Sequence, residues 1–220
     1  MKHESLSIPL FETQYFPSVR FFALALHSGK LLIEQQENYQ KRGFRNKCNI
    51  VASHGMETLS IPLLKGKNQQ QAIKDVKIAN DQAWIIQHWK SLQTAYGKSP
   101  FFMHYADKLK SILDKKHTYL YDLNTELLYA VFSLLHISCQ IEFTTSYIKE
   151  YKSPVIDLRN LTDLLQPNAK SSLSMESHSY PQLFSDRLGF TDNLSILDLL
   201  FCLGPDGVRI LKQFKISYQE

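Results

Sequence analysis

The chain has 220 residues, 44% hydrophobic and 21% charged, which is enough to bury a sizeable core in one domain, residues 1–220, of ordinary soluble composition. Its 25 Lys and Arg against 21 Asp and Glu leave a net charge of +4, too mild for a dedicated nucleic-acid binder, so nucleic acid is not an expected partner. Cys48, Cys139 and Cys202 lie far apart without Cys-x-x-Cys or Cys/His ligand spacing, which argues against a disulfide framework and a zinc site and for reduced thiols in a cytoplasm. The start of the chain has no continuous apolar h-region, and the longest apolar stretch, Leu127 to Ile137, is too short to span a bilayer; the expectation is a protein that is neither secreted nor integral to a membrane.

Leu6–Leu10 alternates weakly and is read as a first strand. Gln14-Tyr15-Phe16-Pro17-Ser18 then makes an aromatic turn from which Ser18 caps a helix through about His27, with Gly29 ending it. Phe21, Phe22, Leu24, Ala25 and Leu26 leave this helix no clean polar face, so it is expected between the sheet and another layer. Leu31–Glu34 follows as the second strand, and strand, helix, strand with short connections is the unit of a parallel sheet. Asn49–Ala52 and Thr58–Leu63 flank Ser53-His54-Gly55-Met56, where Gly55 can supply a positive φ, and are read as a hairpin holding the preceding polar loop against the sheet. Lys65–Gln71 is polar and flexible in character, and Ile73–Ile78 alternates as a strand with one wet face.

Asn80 or Asp81 opens a helix whose Trp84, His88, Leu92 and Tyr96 share one face. Pro100 begins the next helix, striped by Phe101, Phe102, Tyr105, Leu109, Ile112 and Leu113, and His117–Leu135 is a third. After a strand at Gln140–Phe143, Tyr147–Ser179 reads as a lid or linker with one short helix candidate, Leu158–Leu165. Tyr180–Leu188, a helix capped at Asp192-Asn193 and ended by Gly204-Pro205, and Asp206–Phe214 complete the chain. The expected fold is α/β: a small, partly parallel sheet with a hairpin, covered by helices, with a predominantly helical second half.

The densest polar chemistry follows the second strand. Glu34, Glu37, Asn38, Tyr39, Lys41, Arg42, Arg45, Asn46 and Lys47 crowd where that strand surfaces, and in an α/β sheet ligands bind at such strand ends. One reading has Lys41, Arg42, Arg45 and Lys47 neutralising a phosphorylated small molecule, Arg as a planar fork and Lys as a point charge; the other is a solvated turn salt-bridged to Glu34 and Glu37. The loop should form one pocket with His88 and Tyr96, Asn38, Tyr39 and Asn46 included, and Arg45 or Lys47 should be replaceable by Ala with stability nearly intact. His88 is either a general base or a satisfied core histidine beside Trp84 and Trp89. Cys48 sits among cations that favour a thiolate, though no partnering base accompanies it. Ser99, Asn193 and Ser195 are read as helix caps, Asp198 as the polar member of an apolar helix, and Tyr180 and Gln182 as packing residues that are candidates to close over a ligand. No Gly-x-Gly-x-x-Gly or Walker loop is present, and no cofactor or metal is implied.

Tyr39-x-Lys41-Arg42-Gly43-Phe44-x-Asn46-Lys47, preceded by Asn38, resembles the WbqC-like family, bacterial proteins named from O-antigen biosynthesis loci. Pro17-x-x-Arg20-Phe21-Phe22, Ser60-Ile61-Pro62, His88-Trp89-Lys90, Tyr96-x-x-Ser99-Pro100-Phe101-Phe102 and Tyr180-x-Gln182-x-Phe184 leading to Asn193–Phe201 continue that resemblance in one order over most of the chain. Departures are Glu12-Thr13 for the family's Gln-Pro, Arg20 for its glycine, Gln35-Gln36 for its aspartate pair, and a short stretch at Lys152–Ser179. The resemblance implies surface-polysaccharide or amino-sugar metabolism. On that basis the expected function is a transferase-type enzyme for a phosphorylated or nucleotide-linked sugar, with His88 or Glu37 moving a proton. The alternative is a non-enzymatic scaffold whose basic loop docks an acidic partner; the sequence leaves the oligomeric state open.

Overall fold

A computed structural model describes residues 7–64, 71–160, 173–176 and 178–218. The first strand, β1 (Ile8–Glu12), runs into helix α1 (Val19–Ser28) and back into β2 (Lys30–Glu34), which lies parallel to β1. Gly29 ends α1 in the left-handed region at φ 67°, its N–H donating to Ala25 O, so the chain reverses without the clash a Cβ would bring. Ser18 stands at the cap position but makes no side-chain cap bond; its backbone bridges Ser195 instead.

Hairpin strands β3 (Lys47–Ala52) and β4 (Gly55–Ser60) pair antiparallel across Ser53-His54, with Gly55 at φ 120°. They form a separate two-stranded sheet packed on helices α2 (Trp84–Tyr96) and α6 (Ile196–Leu203). Between hairpin and α2, the expected strand Ile73–Ile78 is instead a 3-10 turn at Ile73–Asp75 followed by single bridges. Ile73, Val76 and Ile78 are all buried, although strict alternation would put Ile73 and Val76 on opposite faces, and the backbone is shared among unlike neighbours: Leu64 N–H donates to Lys77 O, Leu120 N–H to Val76 O, and Ile78 N–H to Thr118 O, which leaves no ladder to build.

Helices α3 (Phe102–Leu113) and α4 (Leu120–Leu134) carry the expected stripes and lead to β5 (Gln140–Phe143). The segment read as a lid holds strand β6 (Val155–Asp157), parallel to the free edge of β1, and Leu158 N–H extends the pairing to Leu10 O. Leu158–Asn160 is therefore not the start of a helix; residues 161–165 of that candidate lie outside the described residues. A three-residue strand carries too little periodicity to be seen in sequence, and its state is decided by the edge it joins. Strands β7 (Leu173–Glu176) and β8 (Lys215–Tyr218) make a second antiparallel pair, which was not among the elements expected from the sequence.

The expected helix at Tyr180–Leu188 shrinks to α5 (Ser185–Leu188), and the last helix is α7 (Gly207–Gln213). The cap of α6 is Ser195, whose Oγ accepts from Leu197 N–H at 3.3 Å and donates to Phe16 O at 3.0 Å; Asn193, at φ 51°, and Asp192 instead hold Arg20. Ser195→Ala is expected to lower unfolding stability by about 1 kcal/mol, measured by urea denaturation, because a cap acceptor and a buried donor are both lost.

The main sheet has the order β5-β2-β1-β6, all parallel. The chain steps outward from β1 to β2 to β5, then returns to the other side of β1, so the topology switches between β1 and β6. Helix α1 packs on β1 and β2 and is covered by α6 and α7, the sandwiched place its apolar surface required. One continuous core runs from the aromatics of α1 through α4 to the wholly buried Leu197, Leu199, Leu200 and Phe201 of α6. No helix among the described residues is long and apolar enough to cross a membrane.

Candidate active site at the carboxyl edge of the sheet

In open parallel sheets the crevice for ligands opens outside the carboxyl ends of the strands, where the order reverses. Here β1 ends in Glu12, β2 in Glu34 and β6 in Asp157. Glu12 and Glu34 are register partners, both buried, so two carboxylates end adjacent strands side by side. Like charges so placed repel, and the structure answers with arginines from two loops. Arg159 donates to Glu34 Oε2 at 2.8 Å and to Asp157 Oδ1 at 2.9 Å, its guanidinium lying over Tyr147 and Tyr151 at 4.8 and 5.3 Å. Arg45 grips Glu37 in bidentate fashion at 2.7 and 2.5 Å and reaches Asn160 Oδ1 at 2.8 Å. Asn160, a non-glycine residue at φ 61°, donates its backbone N–H to Glu12 Oε2 at 3.0 Å, while Gln14 Nε2 donates to Glu12 Oε1 at 3.2 Å.

Burial pushes the Glu37 carboxyl up against the opposing pull of Arg45, and the charges of Glu12 and Glu34 push the same way. For Arg45, burial pulls the guanidinium pKa down, but the bond to Glu37 and the field of Glu12 more than reverse it, so it remains charged. Beside this cluster a narrow cleft with room for about one water molecule opens between the turn after β1, α1, α4 and the ends of β2 and β5, lined among others by Thr13, Gln14, Phe21, Ile33, Asn124 and Thr125.

The residues singled out from the sequence divide into four groups. Glu37 and Arg45 belong to the buried cluster; Arg45 is wholly buried, which corrects the expectation of a surface cation. Tyr39 and Asn46 are buried too, but they face each other and the hairpin: Tyr39 Oη donates to Asn46 Oδ1 at 3.1 Å and Asn46 Nδ2 to Ile61 O at 2.8 Å. Asn38, Lys41 and Arg42 are exposed, and Lys47 is half-buried at the start of β3.

His88 and Tyr96 sit with the hairpin instead of joining the strand-end cluster. His88 Nε2 meets Ser60 O at 3.2 Å; a carbonyl only accepts, so Nε2 carries the proton and Nδ1 accepts from Tyr15 Oη at 3.1 Å. Burial drives the His88 pKa down to about 4, which keeps the ring neutral. Tyr96 Oη accepts from Val51 N–H at 3.2 Å. Among the described residues no hydrogen bond or ring contact joins either side chain to residues 38–47 directly; His88 meets that loop through Ser60, the register partner of Lys47. The shared pocket expected from sequence is therefore not assembled by contact. Ser99 Oγ donates back to Tyr96 O, closing a turn. Cys48 is buried, and burial raises its thiol pKa despite the cations adjacent in sequence, so it rests as a thiol.

The sequence pattern of the WbqC-like protein family matches residues 13–173, a span holding every side chain of the strand-end cluster except Glu12. The chain belongs to the WbqC-like protein family. It is 29% identical over 238 aligned positions to the uncharacterized protein Rv1507c of Mycobacterium tuberculosis (strain ATCC 25618 / H37Rv), with 94% of this chain and 99% of that protein covered. No solved structure matches it. In this WbqC-like protein the residues that sequence reasoning missed are Glu12, Gln14, Asn124, Arg159 and Asn160. Glu12 had a readable signal: like Glu34 it closes an apolar strand, and two such strands in parallel put their last residues together. Asn124 interrupts the apolar stripe of α4 at a position where Leu120, Leu123, Leu127 and Leu128 are all buried. Arg159 and Asn160 gave none, because the strand that delivers them was itself illegible. Among the described residues no group of three or more His, Cys, Asp or Glu is arranged to hold a metal.

Proposed function

We propose that this WbqC-like protein is a transferase-type enzyme acting on a phosphorylated or nucleotide-linked sugar in surface-polysaccharide biosynthesis, with the sugar lying over the carboxyl ends of β1 and β6. The observation that carries this reading is the reversal of strand order at Glu12 and Asn160, where buried carboxylates and an amide collect at the one edge where such sheets receive ligands. Carboxylate and amide oxygens suit sugar hydroxyls. Arg45 anchors its loop into that edge through Glu37 and Asn160 and through its own bond to Arg42 O at 3.0 Å, which keeps the exposed Lys41 and Arg42 on a tethered tip fit to meet phosphate.

For proton acceptance the geometry favours Glu12 over the residues chosen from sequence. Both oxygens of Glu37 are held by Arg45, and His88 Nδ1 is occupied by Tyr15, whereas Glu12 accepts from uncharged donors, Gln14 and the Asn160 backbone. In the transfer step the acceptor's O or N would bond to the sugar carbon that carries the phosphate, that carbon–oxygen bond would break with its electron pair leaving on the phosphate, and the proton shed by the acceptor would pass to Glu12.

The test is isothermal titration of hexose 1-phosphates and nucleotide-linked hexoses. The Lys41→Ala/Arg42→Ala protein is expected to bind at least tenfold more weakly than wild type, while its unfolding stability stays within about 0.5 kcal/mol, because both side chains are exposed. Unchanged affinity in that variant, or no binding by wild type, would overturn the proposal. The exposed Lys41 and Arg42 equally suit a scaffold docking an acidic protein; that reading predicts lost partner capture in the same variant with no sugar-phosphate binding by either protein.

A further inference from the structure

Two tyrosines beside the strand-end cluster take no part in its hydrogen bonding. Arg159 has all three guanidinium nitrogens bonded: Nε to Asp157 Oδ1, Nη1 to Glu34 Oε2, and Nη2 to Asp157 Oδ2 and to Ile148 O at 2.8 Å. So held, the group has only its flat faces left to offer, and the rings of Tyr147 and Tyr151 pack against it. Among the described residues neither tyrosine hydroxyl has a hydrogen-bond partner. Tyr151 is half-buried, whereas Tyr147 is 52% exposed, so the face of its ring turned away from the guanidinium is open to solvent. A flat ring fixed on an immobilised cation, with one face bare, is a preorganised surface for another ring.

This surface stands at the proposed ligand edge. Glu34, which Arg159 holds, ends β2 beside Glu12 at the end of β1. Burial raises the Tyr151 hydroxyl pKa and the charge of Glu34 adds to it, so the tyrosine pair lies within the field of the strand-end carboxylates. One strand spacing, one hydrogen bond and one ring contact separate Tyr147 from Glu12, a span that the diphosphate of a nucleotide-linked sugar covers. A sugar ring and a nucleobase both stack on aromatic side chains, and the cation decides between them. Sugar C–H groups seek the electron-rich face of a ring, and a guanidinium on the reverse side draws that density away; a nucleobase, whose own face is electron-rich, stacks best on a ring so depleted. Every base has such a face, so stacking selects a nucleotide without choosing its base.

We infer that Tyr147, backed by Arg159, is the stacking platform for the base of a nucleoside diphosphate, so that the sugar reaches this edge joined to a nucleotide. This rests on the phosphorylated-ligand reading of the same edge. Isothermal titration of the full chain with uridine diphosphate, guanosine diphosphate, inorganic pyrophosphate and glucose 1-phosphate separates the two. At least one of the nucleotides is expected to bind wild type about tenfold more tightly than pyrophosphate does. In Tyr147→Ala that advantage is expected to fall below about threefold with pyrophosphate affinity unchanged, while Tyr147→Phe, which keeps the ring, retains it. Tyr147→Leu leaves apolar bulk on Arg159 without a flat ring and is likewise expected to lose the advantage, with its unfolding midpoint in urea as the folding control. Nucleotides that bind wild type no better than pyrophosphate would overturn the platform, as would an equal loss in Tyr147→Phe; binding of glucose 1-phosphate by the same protein would leave the sugar-phosphate site standing. No binding of any of these compounds would remove both, and a nucleotide advantage that survives in Tyr147→Ala and Tyr147→Leu would place the base elsewhere.

Discussion

Replacing Arg45 by alanine is expected to destabilise the fold by about 3–5 kcal/mol, the range for breaking a buried ion pair from one side. The arginine side chain is wholly buried and its partner Glu37 nearly so, so the substitution strands a carboxylate away from water. It also removes donors from Arg42 O and Asn160 Oδ1, and the second of these belongs to the residue whose backbone N–H holds Glu12. Urea denaturation at neutral pH measures the loss. The joint replacement Arg45→Met with Glu37→Leu is expected to recover much of it, because two apolar side chains of similar bulk leave no charge unpaired. A single-variant loss below about 1 kcal/mol would contradict a pair formed away from solvent. The stability of the protein and the integrity of the candidate site are thus one question at Arg45, and ligand-binding losses in Arg45 variants need a folding control that those in Lys41 and Arg42 do not.

The Asp198→Asn variant is expected to gain about 3 kcal/mol of stability relative to wild type between pH 4 and pH 8. Asp198 lies fully buried in α6, where its Oδ2 accepts from Tyr180 Oη at 2.7 Å and Gln182 Nε2 at 3.0 Å. Burial raises its pKa from the ordinary 3.8 to about 6, against the lowering effect of the bonds from Tyr180, Tyr96 and Gln182. A carboxyl whose folded pKa lies above the unfolded one holds its proton more tightly when folded. Its contribution is whole below about pH 4 and is lost as pH rises through about 6, the reverse of a salt-bridged carboxylate. Asn keeps an oxygen acceptor in place and never ionises, so the difference between the two stability curves, from denaturation at several pH values, isolates this one group. A difference that stays level from pH 4 to pH 8 would show that Asp198 remains ionised at acid pH in the folded state. The same geometry explains why Tyr180 and Gln182 are spent on the interior: their polar atoms hold Asp198, and Gln182 also bonds Thr191 O and N–H.

Local rules carried the first half of the chain. Gly29 after an apolar helix, and β-rich runs either side of it, led to a parallel strand pair, and Gly55 between two β-rich runs led to the hairpin. The stripes of α2, α3 and α4 were legible for the same reason: each element meets one broad apolar surface, so its period survives in the sequence. Ile73–Val76 shows the limit, since buried positions three apart in a 3-10 turn and two apart in a strand overlap over so short a run.

The sequence by itself determined the α/β class, the family resemblance now matched over residues 13–173, and the position of the polar cluster after β2. It did not determine which cations are buried. Arg45, Lys41 and Arg42 look alike in sequence; what separates them is whether an unpaired carboxylate waits within reach, and Glu37 waits only for Arg45. Nor did it show that β6 would join β1, because three residues have no preference strong enough to declare themselves until an unpaired strand edge accepts their backbone groups. That pairing brings Arg159 and Asn160 to Glu34 and Glu12 across more than a hundred residues, and it is decided by long-range hydrogen bonding and charge neutralisation, quantities that no local window of sequence contains.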